Sequence, residues 1–520
     1  MSALRGRSLW PALPAVGPAL AWATVPVLLL AYHVVVHGGV LSGSDGPLAG
    51  ADQLFYMDSV RQSGMHLLIA DHFDLVLGRA VFLHPLYLLG GLMWRAGLSL
   101  QASFWALQLL GAVAVAVGAA ALGARVLPAG RPRMVALTLG LFFLSPLLPL
   151  LAWTGAIGAI PRYQLLLVTG EATPGWQLWG YPQAGVAVGA LAAALLGAAA
   201  LAAGRTGARL ILAVCAAACL CAWLHPWQGA IFIVVAVALA LQTRARAPVS
   251  ALALAIAAAA APMLYEAILS RTDAAWHLDS VRNGVGQGPA WALLAGLAPL
   301  AIPAVLSLRR VASGPLRTVL VGWPLAAVAV YFGTAQFPYH ALEGISIPLA
   351  ALVVAGWPAQ RTATRRWAIT AALAAAVALG AVYEISTFRD SERSGAAPYF
   401  LTAGERAALR YLDHDPEPGG VLARDYIGMA VPAFTGRRTW VGEWTWTPDF
   451  PARAALAERL MAGSLSPAQA QQMVDATGAR FVLSDCGARA PLAALLQGMV
   501  VSERRFGCAA VLELRPLSRA

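Results

Sequence analysis

Long apolar runs, separated by short polar segments, occupy most of the first 386 residues of the chain. A helix needs about 20 apolar residues to cross a bilayer. Each run should be a helix, because a backbone that faces lipid must satisfy its own hydrogen bonds. The pattern predicts an α-helical polytopic membrane protein with about eleven transmembrane helices. The predicted spans lie at approximately 15–37, 101–124, 133–153, 182–203, 208–224, 227–243, 249–269, 288–307, 316–332, 344–359 and 367–386.

The positions of arginine orient these spans. Cytoplasmic connections carry an excess of basic residues. When the N-terminus with Arg5 and Arg7 is placed in the cytoplasm, every even-numbered connection is short and basic. The arginines of these connections are Arg125, Arg131, Arg133, Arg205, Arg209, Arg244, Arg246, Arg309, Arg310, Arg317, Arg361, Arg365 and Arg366. The first span is long and lacks a small-x-small cleavage site, so we expect it to be retained. The C-terminus should then lie outside.

The last part of the chain, 387–520, has the pattern of a soluble domain. Short β-branched and apolar runs predict strands at 421–423, 439–441, 480–485 and 509–514. Helical periodicity covers 403–412, 452–462, 467–477 and 490–497. We therefore expect two domains: a transmembrane domain, 1–386, and an extracytoplasmic α/β domain, 387–520. The first outer loop of the transmembrane domain runs from 38 to 100.

Composition agrees with a membrane protein. Hydrophobic residues make up 59% of the 520 and charged residues only 12%, and the mean hydropathy is +0.67. In a soluble protein the net charge of +11 would suggest nucleic acid. Here the basic connections account for the charge, so no nucleic-acid partner is expected. The absence of lysine and the abundance of alanine are typical of a GC-rich bacterial genome, so the plasma membrane of a bacterial cell is the expected location.

The five cysteines divide by location. Cys215, Cys219 and Cys221 lie within one predicted span, where they should pack as small apolar residues. Cys486 and Cys508 lie in the tail. If the tail is outside the cell it is in an oxidising space, and these two should form a disulfide. The cysteine spacing resembles no zinc motif, and no metal site is predicted there.

The first outer loop holds the leading catalytic candidates. We expect two short interfacial helices in it, near 52–63 and 81–95. Asp52 should open the first of them, where its carboxylate could reach a lipid-borne group. The alternative role is an ordinary helix N-cap. Asp58 is a second catalytic candidate, and Arg61 is a candidate for substrate binding. Because these two residues lie three positions apart on one helix face, the alternative is that they form only an exposed ion pair. His84, before Pro85, is either a substrate ligand or part of a kink.

Polar residues of the other outer loops are candidates for substrate binding. Arg162 and Arg282 are outer-face arginines, against the usual trend, and a guanidinium suits a phosphate. Their alternative role is pairing with Glu171 or with Asp279. His340 and Glu343 follow the ninth predicted span and complete the set.

Several stretches resemble the GT-C glycosyltransferase superfamily. The first-loop motifs are Gly50 to Arg61 and Phe82-Leu83-His84-Pro85-Leu86. Segments 336–344, 426–428 and 435–438 are similar to those of uncharacterised bacterial members. The resemblance covers the whole chain in layout. It implies an integral membrane enzyme that uses a polyprenyl-phosphate sugar, with a first-loop carboxylate as base on the acceptor. Asp52 matches that carboxylate by position, and Asp58 is the second candidate.

The chain departs from the superfamily in one respect, since it lacks the adjacent acidic pair that many members carry in this loop. No cofactor is therefore expected, and a divalent metal is possible but not indicated. The expected function is transfer of a sugar from a polyprenyl-phosphate donor to a lipid or glycan acceptor, with Asp52 as base and the donor phosphate at Arg162, Arg282 or His340. Two alternatives stay open. One is a lipid or glycan transporter or binding scaffold, and the other is a member that retains the fold without activity.

Overall fold

The computed structural model describes residues 13–46, 50–76, 78–243, 245–311, 313–356, 363–394 and 398–516. Arg5, Arg7, Arg244 and Arg361, which the topology prediction uses, lie outside the described residues. The helices, in chain order, are α1 Leu13–His37, α2 Gly50–His66, α3 Pro85–Arg95, α4 Leu100–Val126, α5 Arg131–Phe142, α6 Leu147–Trp153, α7 Ala159–Ala172, α8 Pro174–Gln177, α9 Pro182–Ala202, α10 Ala208–Leu224, α11 Pro226–Gln242, α12 Arg246–Thr272, α13 Ala274–Arg282, α14 Ala290–Ser307, α15 Pro315–Gly333, α16 Ser346–Ala355, α17 Ala363–Ser394, α18 Ala403–His414, α19 Asp425–Gly428, α20 Ala430–Thr435, α21 Phe450–Met461, α22 Pro467–Thr477 and α23 Leu492–Leu495. The strands are β1 Val40–Leu41, β2 Phe400–Leu401, β3 Val421–Leu422, β4 Phe481–Ser484, β5 Val500–Phe506 and β6 Ala509–Leu514.

The chain is a multi-pass membrane protein. Within the described ranges, eight helical segments are long and apolar enough to cross a membrane. A ninth span is formed if α5 and α6, which are bent by 47° at a short break, cross together. The remaining two predicted spans coincide with α10 and α11, which have 17 residues each and fall short of the required length. Every predicted span therefore corresponds to a helix or a bent pair, but the count of eleven is not confirmed.

Contacts divide the chain into two compact units. The helical unit comprises Met1–Val25, Leu107–Ala267 and Gly284–Thr387. The mixed unit comprises Pro26–Ala106, Ile268–Asn283 and Phe388–Ala520. The division of the sequence into domains 1–386 and 387–520 stays a prediction.

Small residues allow close helix packing in the helical unit. A Cβ atom placed on Gly185 of α9 would lie 2.8 Å from the backbone of Gly111 in α4. Such backbone approach is typical of membrane helices that meet at glycine. At the break between α5 and α6, the backbone carbonyl of Phe143 accepts a hydrogen bond from Thr173 Oγ1 at 2.8 Å, within the same unit.

Arginine side chains gather at one place in the helical unit. Arg125, Arg131, Arg310 and Arg317 line a cavity of about 720 Å³ with apolar walls. The first two follow the second predicted span and the other two follow the eighth. These two connections therefore lie on the same side of the helical unit, as an alternating path of the chain requires.

The mixed unit contains the sheet. β3 pairs in parallel with β4, β4 is antiparallel to β6, and β6 is antiparallel to β5, so the strand order is β3-β4-β6-β5. Helix α18 begins with a capping box formed by Thr402 and Glu405. A core of apolar residues such as Leu422, Val482 and Leu512 is fully buried beneath the sheet. The small α/β part predicted from the tail is present.

Four details of the mixed unit correct the sequence prediction. The segment 439–441 is not a strand, since only Thr439 forms a bridge, to Val421. β5 was not predicted, because its sequence is mostly polar and its residues alternate between half-buried and exposed. The helix expected at 490–497 is only the single turn α23, and the one expected at 81–95 begins at Pro85, because Phe82 forms a bridge with Ile69.

The two cysteines of the tail are joined. Cys486 and Cys508 form a disulfide, with their Cα atoms 4.8 Å apart. Cys215, Cys219 and Cys221 are free thiols on α10. Among these three, Cys221 is buried and the other two are half-buried.

Candidate functional site

The helical unit holds a cluster of two histidines and two glutamates. His225 links α10 and α11 in an extended conformation, since Pro226 must begin a new helix. Glu171 lies in the last turn of α7. His340 belongs to a short 3₁₀ segment, Pro338–Leu342, and Glu343 follows it directly. These four residues come from three connections that are far apart in the sequence.

The side chains of this cluster lie within contact distance of one another. His225 Nδ1 is 3.0 Å from Glu343 Oε2. His340 Nδ1 is 3.0 Å from Glu343 Oε1 and 3.1 Å from Glu171 Oε2. Gln228 Nε2 donates to the carbonyl of His340 at 3.0 Å. The cluster therefore concentrates imidazole and carboxylate groups at one end of the helical unit.

Aromatic rings and burial isolate this cluster. The rings of Trp227 and Phe337 lie 4.9 Å and 4.4 Å from the ring of His340. Glu343 is buried, and Glu171 is nearly so. Burial raises the pKa of Glu171, and the nearby imidazole of His340 opposes that rise. The ligand atoms of His225, His340 and Glu343 all lie within 4.8 Å of one another, so these three residues could hold a metal ion.

Arg162 stands apart from these contacts. It lies in the first turn of α7 and is exposed. Pairing with Glu171, the alternative raised for it, is not what the structure shows, because Glu171 contacts His340 instead. A cation at the N-terminal end of a helix is disfavoured by the helix dipole, unless an anion is bound there.

Asp52 lies in the mixed unit, in the first turn of α2. The helix begins at Gly50, so Asp52 lies inside the helix. The alternative role of Asp52 as the helix N-cap is therefore wrong. The residue is partly exposed. Burial raises the pKa of Tyr87 well above its ordinary value, and the charge of Asp52 adds to that rise. Asp52 is therefore a carboxylate next to a buried phenol, at the amino end of a loop helix.

Asp58, on the same helix, has a different environment. It is fully buried. Gln62 Nε2 donates to its Oδ2 at 2.7 Å, and His72 Nδ1 lies 3.1 Å from its Oδ1. The exposed pair expected between Asp58 and Arg61 is thus wrong. Asp58 instead connects α2 to the segment that follows it.

Arg61 faces a basic cavity in the mixed unit. Its guanidinium forms an ion pair with Asp413 at 2.6 Å and lies 5.3 Å from the ring centre of Trp94. Together with Arg406 and Arg410, these residues line a cavity of about 300 Å³. Three arginines and one aspartate give this cavity a positive balance.

His84 caps a helix. It is the N-cap of α3, and its Nδ1 accepts a hydrogen bond from the backbone N–H of Tyr87 at 3.4 Å. Its ring stacks on that of Tyr87 with centroids 3.9 Å apart. His84 is buried. These contacts give it a structural role, and its role as a substrate ligand stays a prediction.

Arg282 donates to backbone carbonyls. Its guanidinium hydrogen-bonds to the carbonyls of Trp444 and Thr447. Asp279, its suggested partner, accepts from Asn283 Nδ2 at 2.8 Å. Arg282 therefore fastens α13 to the 444–447 segment, which reduces its availability for a phosphate.

Two buried carboxyl groups of the mixed unit interact with each other: Asp279, which the sequence offered only as a partner for Arg282, and Glu443, which was not among the predicted site residues. Burial raises the pKa of Asp279 to about 7, and the charge of Glu443 adds to the rise. The pKa of Glu443 is raised by burial too, against hydrogen bonds from Thr445 and Trp446. Glu443 lies in a tryptophan-rich segment, 440–446, whose pattern gives no signal that marks its carboxyl group.

His225 was not among the predicted site residues either, because Pro226 beside it signals only a turn. The other candidate site residues fall into two groups. The helical unit contains Arg162, Glu171, His340 and Glu343, and the mixed unit contains Asp52, Asp58, Arg61, His84 and Arg282.

Comparison with known proteins gives likeness of fold at low identity. No family model matches the chain, and no curated protein matches it. Among solved structures, the oligosaccharyltransferase AglB of Archaeoglobus fulgidus, in complex with an inhibitory peptide and a dolichol-phosphate, is 14% identical with a TM-score of 0.49. That match covers 91% of this chain and 69% of the other. The same enzyme tethered to an acceptor peptide is 13% identical, with a TM-score of 0.45 and coverage of 92% and 69%.

A third structure of the archaeal enzyme, solved with Zn and sulfate, is 13% identical with a TM-score of 0.43 and covers 91% of this chain and 68% of its own. TM-scores below 0.5 say nothing about the substrates of this chain.

Proposed function

We propose that the protein is a membrane glycosyltransferase that moves a sugar from a polyprenyl-phosphate donor to a hydroxyl group of a lipid or glycan acceptor. Asp52 is the general base. The reaction takes place on the extracytoplasmic side, where the arginine pattern puts the first loop.

The observation that carries this proposal is the contrast between two carboxylates on α2. Asp58 is buried and bonded to Gln62 and His72. Asp52 keeps part of its surface accessible in the first turn. The amino end of a helix favours a negative charge, and Asp52 lies there. A positioned base of this kind contributes about 10²–10⁴ in rate.

Within the helical unit, Arg162 is the group best able to bind a phosphate. Of the three groups considered for that role, Arg282 is bonded to two carbonyls, and His340 Nδ1 lies within 3.1 Å of two carboxylates. Arg162 is exposed and forms no ion pair with any residue that the structure describes. Its guanidinium can donate two parallel hydrogen bonds to a phosphate.

The chemistry balances without a further reactant. The acceptor hydroxyl gives its proton to the carboxylate of Asp52, and its oxygen attacks the anomeric carbon of the donor. The bond between that carbon and the phosphate oxygen breaks, and the polyprenyl phosphate leaves with the electron pair. Attack from the face opposite the phosphate inverts the anomeric configuration. Arginine stabilises the charge that develops on the phosphate.

Substitution of Asp52 by Asn tests the proposal. Asn has the same shape but cannot accept a proton, so sugar transfer should fall by about 10²-fold or more. Asp475→Asn is the matched control, because Asp475 is exposed on α22. Both variants should express and unfold like the unchanged protein. Full transfer by Asp52→Asn, measured with a competent donor and acceptor, would show that Asp52 is not the base.

The transporter alternative has one supporting observation. Glu384 of α17 is buried within a membrane span, and its Oε1 has no hydrogen-bond partner among the described residues. Carboxyl groups in spans often mark transport pathways. The same assay separates the two functions. If the protein in vesicles moves an intact lipid-linked sugar across the vesicle membrane and forms no glycosylated product, transport is favoured.

A further inference from the structure

We propose that His225, His340 and Glu343 bind one divalent transition-metal ion, of the Zn²⁺ class. The site lies wholly within the helical unit and does not depend on the role given to Asp52. It would add a metal to a chain whose sequence carries no zinc motif.

The donor atoms suit such an ion. Two imidazole nitrogens and one carboxylate form a ligand set that binds Zn²⁺ and leaves a coordination position open. Imidazole favours zinc, copper, iron and nickel, whereas Mg²⁺ and Ca²⁺ prefer oxygen ligands alone. The identity of the ligands therefore selects a transition metal and disfavours the hard cations.

Two of the separations agree with ligands around one ion. Atoms bound at about 2.1 Å and separated by 90–110° lie about 3.0–3.4 Å apart. His225 Nδ1 and His340 Nδ1 are each 3.0 Å from an oxygen of Glu343, one from each oxygen. One ligand atom from each of the three residues falls within 4.8 Å of the other two.

The orientation of these atoms is a second observation. His225 Nδ1 and Glu343 Oε1 form no hydrogen bond, although each lies 3.0 Å from an atom of opposite type. Their directions do not align as a donor and an acceptor would. His225 is 6% exposed and Glu343 is 1% exposed. Polar atoms buried in this way need a partner, and a cation between them would supply one.

Neighbouring groups would hold the ligands in place. Gln228 Nε2 donates to the carbonyl of His340 at 3.0 Å and lies 3.4 Å from Glu343 Oε2. Glu171 Oε2, at 3.1 Å from His340 Nδ1, supplies a second carboxylate beside one ligand. Outer groups of this kind orient metal ligands and change affinity by about 10–100-fold when they are removed.

The competing explanation is a metal-free network in which protons are shared among the same rings and carboxylates. It accounts for the hydrogen bond between His340 and Glu171. It does not account for the unaligned atoms of His225 and Glu343. Metal binding itself distinguishes the two.

The experiment uses the full-length protein in detergent. Metal is removed with a chelator, and Zn²⁺, Co²⁺ or Mg²⁺ is added back. We expect about one tightly bound Zn²⁺ or Co²⁺ per chain and no tightly bound Mg²⁺. X-ray absorption at the bound metal should show imidazole nitrogens in its first shell. A metal-loaded protein with only oxygen ligands, or a folded protein that retains no Zn²⁺, would overturn the proposal.

Variants add a second measurement. His225→Gln and Glu343→Gln should each weaken Zn²⁺ binding by at least about tenfold, and Gln228→Leu by about tenfold. His66→Gln is the matched control, because His66 is exposed and belongs to the mixed unit. Zn²⁺ affinity unchanged in both ligand variants would contradict the assignment. The absorption measurement on the unchanged protein remains decisive if a variant fails to fold. If the protein binds no metal, the proposal for Asp52 is not affected. If Asp52→Asn retains full activity, the proposal of a metal site is not affected.

Discussion

At the scale of the residue, burial decides which carboxylates are available for chemistry. The sequence puts Asp52 and Asp58 on one helix, and only the structure shows that Asp58 is enclosed by Gln62 and His72. The position of Asp52 in a loop helix could be predicted from the local pattern. The burial of Asp58 could not, because His72 contacts it from a segment outside the helix.

Asp71 gives a prediction about pH. Burial raises its pKa to about 7, against a hydrogen bond from the backbone N–H of Phe73, and the charge of Asp74 adds to the rise. The folded state therefore holds this proton more tightly than the unfolded state, in which the pKa is about 3.9. Its contribution to stability is fully present below about pH 3.9 and is lost as the pH rises through about 7.

Between pH 5 and pH 8 this loss amounts to about 2 kcal/mol. Asp71→Asn keeps an acceptor for Phe73 but does not titrate, so its unfolding free energy should change less over that range. Thermal unfolding in detergent at a series of pH values measures this. Parallel curves for the variant and the unchanged protein would show that Asp71 does not hold the proton.

At the scale of the element, the length of an apolar run predicts the presence of a helix well, but it predicts poorly where that helix is interrupted. Within the described residues, each of the eleven apolar runs contains a helix, but α5 and α6 bend at Ser145-Pro146, and α10 and α11 are short. Proline signals such breaks without saying how far the chain turns. In the mixed unit, β5 was missed because a strand at a sheet edge can be polar, and segment 439–441 shows that a β-branched run need not pair.

The contact between α4 and α9 leads to a test. Gly185→Ala puts a methyl group 2.8 Å from the backbone of Gly111, so the helices must separate. Overpacking of this kind costs about 1–3 kcal/mol. We expect a lower unfolding temperature in detergent. Gly286→Ala is the matched control, because a Cβ at Gly286 meets nothing within 4 Å. Equal stability of the two variants would be evidence against a tight contact.

The disulfide leads to a further test of stability. The cysteines are separated by 22 positions, and closing a loop of that size should stabilise the domain by about 3 kcal/mol in the chain-entropy model. The double variant Cys486→Ser, Cys508→Ser should unfold at a lower temperature. Alkylation without reductant should leave both thiols of the unchanged protein unlabelled. Labelling of both in the native protein would contradict the bond.

At the scale of the whole molecule, an alternating path through the membrane accounts for where side chains meet. Glu171, His225 and His340 follow the third, fifth and ninth predicted spans, and His340 contacts both of the others. Arg125 and Arg310 follow even-numbered spans and line one cavity. Counting spans in the sequence predicted that odd and even connections would separate. It could not predict which odd connections would touch, since that depends on helix packing.

Reporter fusions test the orientation. Because the even-numbered connections are basic, the N-terminus should be cytoplasmic and the C-terminus external. Alkaline phosphatase fused to the C-terminus should be active, and a reporter that works only in the cytoplasm should be inactive there. The reverse result would require an even number of spans, and the extracytoplasmic site for Asp52 would have to be abandoned.

The glycine contact between α4 and α9 also has a consequence for biogenesis. Gly111 and Gly185 are 74 positions apart, and a ribosome adds about 5–20 residues each second. Some 4–15 s of synthesis therefore pass between the emergence of the two partners. During that interval α4 is in the bilayer with its small-residue face covered by lipid or by the insertion machinery. When α9 is inserted, it must displace the lipid or insertion machinery from the small-residue face of α4 before the two helices can pack.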